Sequence, residues 1–263
     1  MLKRVLSFFS RSKTSLETGL VEFFTKAERR KLSHHHVPKH VAFIPDGNRR
    51  WAKKNLSLPE CGHEKGASSI VQTTKAAKEL GVRVVTFYLF STENWKRPQK
   101  EIDYLMRLLK TTLLEQKEEM ISSGIRFRTI GDLSPFSEDI LQVIEEVKEA
   151  TENLEDVDLV FALNYGGRNA LVRAMQEILE EDGERIPTVT EEMISAHLDT
   201  RFWPEPDLLI RTSGEQRISN FLLWELSYTE LYFTPVLWPD FTPMHLLEAF
   251  LDYQRRERRM GGE

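Results

Sequence analysis

The alternation of short apolar runs with longer amphipathic segments constrains the fold of this chain most strongly. From residue 40 onward, apolar runs of strand length are separated by segments with a helical period of 3.6 residues. This alternation is typical of a mainly parallel sheet with helices on both faces, so we expect a single α/β domain. The predicted strands are 40–44, 84–90, 125–130, 158–163 and 208–210.

The predicted helices fill the segments between and after these strands. They are 64–80, 100–122, 138–153 and 167–181, followed by a helical turn that begins near Ser219 and a final amphipathic helix over 243–259. In an open α/β sheet, ligands bind at the carboxyl ends of the strands. The functional residues are therefore expected directly after the strands.

Composition excludes several classes of protein. With 263 residues and 40% hydrophobic content, the chain can bury one large core. A net charge of −5 argues against a nucleic-acid binder that acts through its overall field. Cys61 is the single cysteine, which excludes an intramolecular disulfide and is typical of a cytoplasmic protein. No apolar run reaches the roughly 18 residues needed for a membrane-spanning helix.

The N-terminal residues differ in charge from the rest. The first 40 residues contain nine Lys or Arg and three Glu, and Leu2, Val5, Leu6, Phe8 and Phe9 alternate with the early basic residues. Two interpretations stay open: a helix that contacts an anionic membrane surface, or a solvated extension without a packed face. Residues 1–38 are accordingly predicted as a basic N-terminal extension, helical or disordered, and 39–263 as the catalytic domain.

The first strand runs directly into a polar segment. Asp46, Gly47 and Asn48 suit a tight turn and a helix start, whose free N–H groups bind anions. Arg50 and His63 add phosphate donors. A carboxylate beside a phosphate repels it unless a cation such as Mg²⁺ lies between them. These residues alone leave two interpretations of Asp46 open: a metal ligand or a simple helix cap.

A second basic segment follows the last predicted strand. Arg211, Arg217 and Ser219 lie within nine residues and lead into the helical turn predicted near Ser219. Two guanidinium groups, a hydroxyl and helix N–H groups can bind a second diphosphate. The alternative is a loop that merely exposes surface arginines.

These segments, with others in the same order, resemble the cis-prenyltransferases of the undecaprenyl diphosphate synthase-like family. The matching segments are 44–52, 90–98, 164–168, 210–221, 238–241 and 255–262. The resemblance runs from about residue 40 to the end of the chain. The chain has no pair of Asp-Asp-x-x-Asp motifs, which separates it from the trans-prenyltransferases.

The resemblance implies a Mg²⁺-dependent transferase that condenses isopentenyl diphosphate with an allylic diphosphate, farnesyl or geranyl, in the cis configuration. It implies an apolar tunnel for the growing chain, and a homodimer in which the tail Arg259-Met260-Gly261 reaches the partner's site. It also implies catalytic roles for Asp46 and Asn94, with Asp46 and Glu230 as the metal ligands. The implied substrate-binding residues are Gly47, Asn48, Arg49, Arg50, Trp51, His63, Ser91, Thr92, Glu93, Trp95, Arg97, Arg211, Arg217 and Ser219.

The chain departs from the family pattern at several positions. Pro59 stands where many relatives have arginine, and Leu89 and Leu163 stand where small alanines are common. Larger side chains would narrow the tunnel, so either the product is shorter than the long polyprenyl carriers or neighbouring residues restore the space. Two other classes of function are less consistent with the sequence than a prenyltransferase is. A non-catalytic partner subunit would not need the retained metal and phosphate residues, and a phosphate hydrolase would not need the aromatic and apolar segments between them.

Overall fold

Six parallel strands form the centre of the molecule. The structure, a computed structural model, describes residues 22–32, 36–181 and 188–257, so the tail motif at 259–261 and the start of the basic extension lie outside the described residues. The strands are β1 (His40–Ile44), β2 (Val84–Ser91), β3 (Ile125–Ile130), β4 (Val157–Tyr165), β5 (Leu208–Arg211) and β6 (Glu230–Phe233). Their order is β3-β4-β2-β1-β5-β6, and every neighbouring pair is parallel.

Eight α-helices accompany these strands in the described residues. They are α1 (Lys26–Arg29), α2 (Asn48–Lys54), α3 (Pro59–Glu79), α4 (Gln99–Ser122), α5 (Glu138–Thr151), α6 (Gly167–Glu181), α7 (Glu191–His197) and α8 (Pro243–Tyr253). The helical turn predicted near Ser219 is wrong. Ser219 and Asn220 adopt left-handed φ angles of 51° and 64°, which cannot begin a right-handed helix.

The sheet is buried on both faces, as the predicted α/β fold requires. Along β1, Val41 and Phe43 belong to the core under α3, α4, α5 and α8, whereas Ala42 and Ile44 belong to the core under α6. This alternation follows from the two-residue period of a strand. All four residues are less than 8% exposed. The predicted single α/β domain is confirmed.

The order of the strands places a topological switch point between β1 and β5. The chain leaves β1 toward β2 on one side and leaves β5 toward β6 on the other. Adjacent loops that run in opposite directions open a crevice at the carboxyl ends of two such strands. Asp46 follows β1 and Arg211 ends β5, so both lie at this crevice.

Residues before the predicted boundary at 38 pack against the domain. Phe24 and Leu32 are 1% and 5% exposed and belong to the larger core. The Glu79 carboxylate at the end of α3 accepts hydrogen bonds from the backbone N–H groups of Phe23 and Phe24. Within the described part of the chain, the domain thus packs at least as far back as Phe23. No helix in this part is long and apolar enough to cross a membrane.

Candidate active site

The turn after β1 holds Asp46 at the switch point. Gly47 has a left-handed φ of 109°, and a Cβ there would lie 3.0 Å from the side chains of Ser213 and Leu237. Any other residue would be strained by its backbone and crowded by these neighbours. Gly47 is the N-cap of α2, and no side chain caps that helix. The interpretation of Asp46 as a simple helix cap is therefore wrong.

Thr212 fixes the backbone of Asp46. The Thr212 hydroxyl accepts a hydrogen bond from the Asp46 N–H at 2.9 Å and donates one to the Asp46 carbonyl at 2.7 Å. The Trp238 N–H donates to the same carbonyl at 3.0 Å. Thr212 is fully buried, and its hydrogen bonds join the ends of β1 and β5. They engage only the backbone of Asp46, so its carboxylate faces the crevice.

Two guanidinium groups converge on the Asp46 carboxylate. Arg211 Nη2 lies 3.0 Å from Oδ2, and Arg50 Nη2 lies 3.3 Å from Oδ1. Arg211 is only 4% exposed, and a charge that deep in a protein requires a partner. Its Nε is buried and has no hydrogen-bond partner among the described residues. This N–H is an unused donor beside the carboxylate.

A second carboxylate, Glu215, completes the charge cluster. Arg50 Nη1 lies 3.2 Å from Oε1 of Glu215, and Arg217 Nη1 lies 2.5 Å from its Oε2. Together with Asp46 and Arg211, three guanidinium groups face two carboxylates, and the cluster has a net charge of +1. An incoming diphosphate can replace the carboxylates as partner of the arginines. Glu215 was not among the predicted site residues, because no motif singles it out.

Asn48 and His63 contribute unpaired polar atoms. The Asn48 amide donates to His63 Nδ1 over 3.4 Å, so the proton of the neutral ring lies on Nε2. Asn48 Oδ1 and His63 Nε2 are both buried without a hydrogen-bond partner in the described residues. Burial lowers the pKa of His63, and the nearby Arg97 guanidinium lowers it further. A neutral imidazole with a free Nε2–H is a hydrogen-bond donor suited to a ligand oxygen.

The segment after β2 forms a short 3-10 helix, Thr92–Lys96, whose start is closed by Ser91 and Asn94. The Asn94 amide oxygen accepts from the Ser91 N–H at 3.1 Å. The Trp95 indole N–H donates to Asn164 Oδ1 at 2.8 Å, and its ring lies edge-on to Phe90 with centroids 5.0 Å apart. Asn164 thus ties this segment to β4. It has a left-handed φ of 46°, and the sequence did not predict its role.

One large cavity connects these polar groups to an apolar wall. Its volume is about 510 Å³, and its apolar side is built from Leu89, Leu163 and side chains of α3 and α4. Ten predicted site residues line it: Asp46, Gly47, Asn48, Arg49, Arg50, His63, Ser91, Asn94, Arg97 and Ser219. A polar end and an apolar wall suit a ligand with a charged head and a hydrocarbon chain.

Other predicted site residues lie around the cavity without lining it. Arg211 and Arg217 belong to the charge cluster described above. Trp51 donates from its indole N–H to Asp240 at 2.7 Å, and Asn220 donates to Glu93 at 3.0 Å. Thr92 packs beside Gly166, where a Cβ would lie 2.8 Å from its Oγ1. These side chains hold the loops that surround the cavity.

The structure does not bring Glu230 to Asp46. Glu230 begins β6 and pairs in register with Leu208, which pairs with Val41 of β1. Asp46 lies beyond the other end of β1, so the two carboxylates are separated by roughly 10 Å or more along the sheet. Glu230 instead forms an ion pair with Arg256 at 2.9 Å. The prediction that both carboxylates hold one ion is wrong within a single chain.

Comparison with known proteins decides the family. The family model for undecaprenyl diphosphate synthases, a prenyltransferase family, matches residues 44–261. The chain belongs to this family. An isoprenyl transferase of Bacillus anthracis is 43% identical over 265 residues, covering 100% of both chains. An isoprenyl transferase of Wolinella succinogenes is 46% identical over 224 residues, covering 85% of this chain and 96% of its own.

Solved structures of the family superimpose on this prenyltransferase. Lavandulyl diphosphate synthase from Lavandula x intermedia, in complex with dimethylallyl diphosphate, gives a TM-score of 0.83 at 36% identity over 86% of this chain and 99% of that one. A probable undecaprenyl diphosphate synthase from Campylobacter jejuni gives 0.73 at 32% identity over 85% and 98%. The enzyme class that the sequence motifs implied is confirmed.

Proposed function

We propose that this prenyltransferase condenses isopentenyl diphosphate with an allylic diphosphate in the cis configuration and releases diphosphate. The observation that supports this proposal most directly is that Arg50 and Arg211 both contact Asp46 at the polar end of a cavity with an apolar wall. In the reaction, the allylic carbon–oxygen bond breaks and diphosphate leaves. The double bond of isopentenyl diphosphate forms the new carbon–carbon bond, and a proton is lost.

The donors of the site suit two diphosphate groups. Asn48, Arg50 and His63 line one side of the cavity and would bind the allylic diphosphate. Arg211, Arg217 and Ser219 would bind the diphosphate of isopentenyl diphosphate, and Arg211 Nη1 already donates to the Ser219 hydroxyl at 2.9 Å. Preorganised charges that face a departing diphosphate stabilise the transition state more than the ground state.

The residues also fit a bound Mg²⁺. The described residues contain no cluster of three His, Cys, Asp or Glu side chains that would form a metal cage. Mg²⁺ commonly needs only one or two carboxylates when substrate phosphates supply further oxygens. Asp46, with a carboxylate 30% exposed toward the cavity, meets that requirement. When bound, the ion would neutralise charge on the leaving diphosphate.

The cavity favours a short product. The cavity of about 510 Å³ includes the polar end, where the diphosphate would lie, so only part of it is left for a hydrocarbon chain. Leu89 and Leu163 both line the apolar wall. We therefore infer a product shorter than the long polyprenyl carriers, built on a geranyl or farnesyl starter.

A homodimer is part of the proposal. β6 is an edge strand of the sheet, and Tyr228 and Leu231 beside and within it are 59% and 38% exposed. An edge strand with apolar neighbours is a suitable surface for pairing with a second copy. Size-exclusion chromatography with light scattering tests this. A monomeric mass at micromolar concentration would contradict it.

The reaction is tested by incorporation of labelled isopentenyl diphosphate into extractable lipid. Wild type should incorporate label with geranyl or farnesyl diphosphate only when Mg²⁺ is present. Asp46→Ala should lose incorporation. Asp139→Ala, which removes an exposed carboxylate paired with Lys110, is the matched control and should retain it. Failure of the wild type with every allylic starter would overturn the proposed reaction.

A further inference from the structure

The loop between α2 and α3 presents apolar side chains to solvent. Leu56 is the most exposed large hydrophobic residue in the described part of the chain, at 97%, and Leu58 two residues later is 69% exposed. Single exposed leucines are common on protein surfaces and need no explanation. Two on one short loop, both pointing away from the core, form an apolar tip.

The backbone holds this tip in place at a steric cost. Leu56 has a left-handed φ of 51°, a conformation suited to glycine and unfavourable for leucine. The loop is nevertheless well ordered by hydrogen bonds, because Asn55 N–H donates to Trp51 O at 3.0 Å and Ser57 N–H donates to Ala52 O at 2.9 Å. Leu56 is almost fully exposed, so among the described residues it gains no buried contact that would offset this cost.

The charge around the tip is locally positive. The segment 47–59 contains four basic residues and no acidic one, within a chain of net charge −5. Arg49 and Arg50 pair with Glu101 and with Asp46 and Glu215. The exposed Lys53 and Lys54, immediately before the tip, form no ion pair with any described residue. Two unpaired cations beside two exposed leucines match the chemistry of an anionic lipid surface.

The loop connects two helices that contribute residues to the cavity. α2 supplies Asn48 and Arg50 to the polar end of the cavity, and α3 supplies His63 and Gly66. Residues 53–58, which lie between these two lining segments, do not themselves line the cavity.

We propose that residues 53–58 form a membrane-contact loop, in which Leu56 and Leu58 enter the acyl boundary of an anionic bilayer while Lys53 and Lys54 bind its head groups. The contact rests on the geometry and charge of the loop and not on the proposed reaction. It is also separate from the basic residues near the N-terminus, which the test must distinguish.

The test uses the full chain and vesicles of phosphatidylcholine with or without phosphatidylglycerol. Wild type should sediment with the anionic vesicles, and less as salt is added. Leu56→Gly combined with Leu58→Ser should weaken partitioning about tenfold or more, a loss of at least about 1.4 kcal/mol. Glycine relieves the strained φ, so this variant should fold at least as well at that position. Val172→Ser, which removes a 56% exposed apolar residue from α6, is the matched control and should bind as wild type does.

A second measurement reports on the loop itself. An environment-sensitive fluorophore on Leu56→Cys, in a Cys61→Ser background, should shift to shorter wavelength with anionic vesicles. The same label on Val172→Cys should not shift. Equal vesicle binding by wild type and the double variant, no binding by either, or no shift at Leu56→Cys would overturn the proposal. Because no substrate is present, these outcomes leave the proposed reaction untouched.

Discussion

The apolar wall of the cavity should set the length of the product. Leu89 and Leu163 line this wall, and each Leu→Ala change removes three carbon atoms. At about 30 Å³ per atom, the double change adds roughly 180 Å³ to the existing volume, room for about six more chain atoms. The double variant Leu89→Ala/Leu163→Ala should therefore extend the main product by about one isoprene unit, and by more if the opened wall connects to further space.

The cost of these changes in stability must be separated from their effect on length. Leu163 is 1% exposed, and truncation of a buried leucine costs about 2–5 kcal/mol, with the lower end expected here because one side of the residue already faces a cavity. Leu198→Ala is the matched control. Leu198 is 2% exposed but packs with α6 on the other face of the sheet, so its truncation should lower the melting temperature without changing the product.

The assay is mass spectrometry of products made from isopentenyl diphosphate and a geranyl or farnesyl starter, with melting temperatures measured in parallel. A folded double variant whose product distribution equals that of the wild type would show that Leu89 and Leu163 do not set the product length. A main product of 55 carbons from the wild type would refute the inference of a short product directly.

Three further predictions concern the charged groups. Arg211→Lys should raise the KM for isopentenyl diphosphate roughly tenfold or more, because a single ammonium group cannot contact Asp46 and Ser219 together. An unchanged KM in steady-state kinetics would contradict this. Calorimetry should show that inorganic diphosphate and Mg²⁺ each tighten binding of the other, and that Asp46→Asn removes this coupling. Burial lowers the pKa of His40 to about 4, so as the pH falls below about 6.5 the unfolded state binds a proton before the folded state does. The free energy of unfolding, measured with urea, should therefore decline by about 3 kcal/mol between pH 6.5 and pH 4. The decline should be smaller in His40→Asn.

The strands were predictable because burial on both faces makes them continuous apolar runs. β1 and β3 begin and end at the predicted residues, and β2 and β4 differ only at their ends. β6 was missed because it has four residues, begins with Glu230 and lies half-exposed at the sheet edge. The wrong helix near Ser219 has a tertiary cause: the Asn220 carbonyl accepts the Gly167 N–H at 2.7 Å, which draws the chain into a left-handed turn.

The candidate site was predictable where strand order alone decides proximity. Asp46 and Arg211 are far apart in sequence, yet both lie at the carboxyl ends of adjacent parallel strands, which brings them together. The roles of Thr212 and Asn164 could not be predicted in this way, because their hydrogen bonds depend on how far each strand extends relative to its neighbours. The same dependence on strand register explains why the prediction for Glu230 was wrong. The family motif implied a metal ligand, but Glu230 lies at the start of β6, where it forms an ion pair with Arg256.

The departures of this chain from its family pattern change the apolar wall of the cavity and remove one arginine near its polar end. Pro59 is the first residue of α3, a position where proline loses no helical hydrogen bond, so the helix that carries His63 is preserved without an arginine there. Arg50 already reaches Asp46, Glu215 and the Ser213 carbonyl, and can bind phosphate in place of that arginine. Bond cleavage depends on the charges at the polar end, whereas chain length depends on the volume beyond them. The substitutions at Leu89 and Leu163 should therefore change which product accumulates while leaving the chemical step in place.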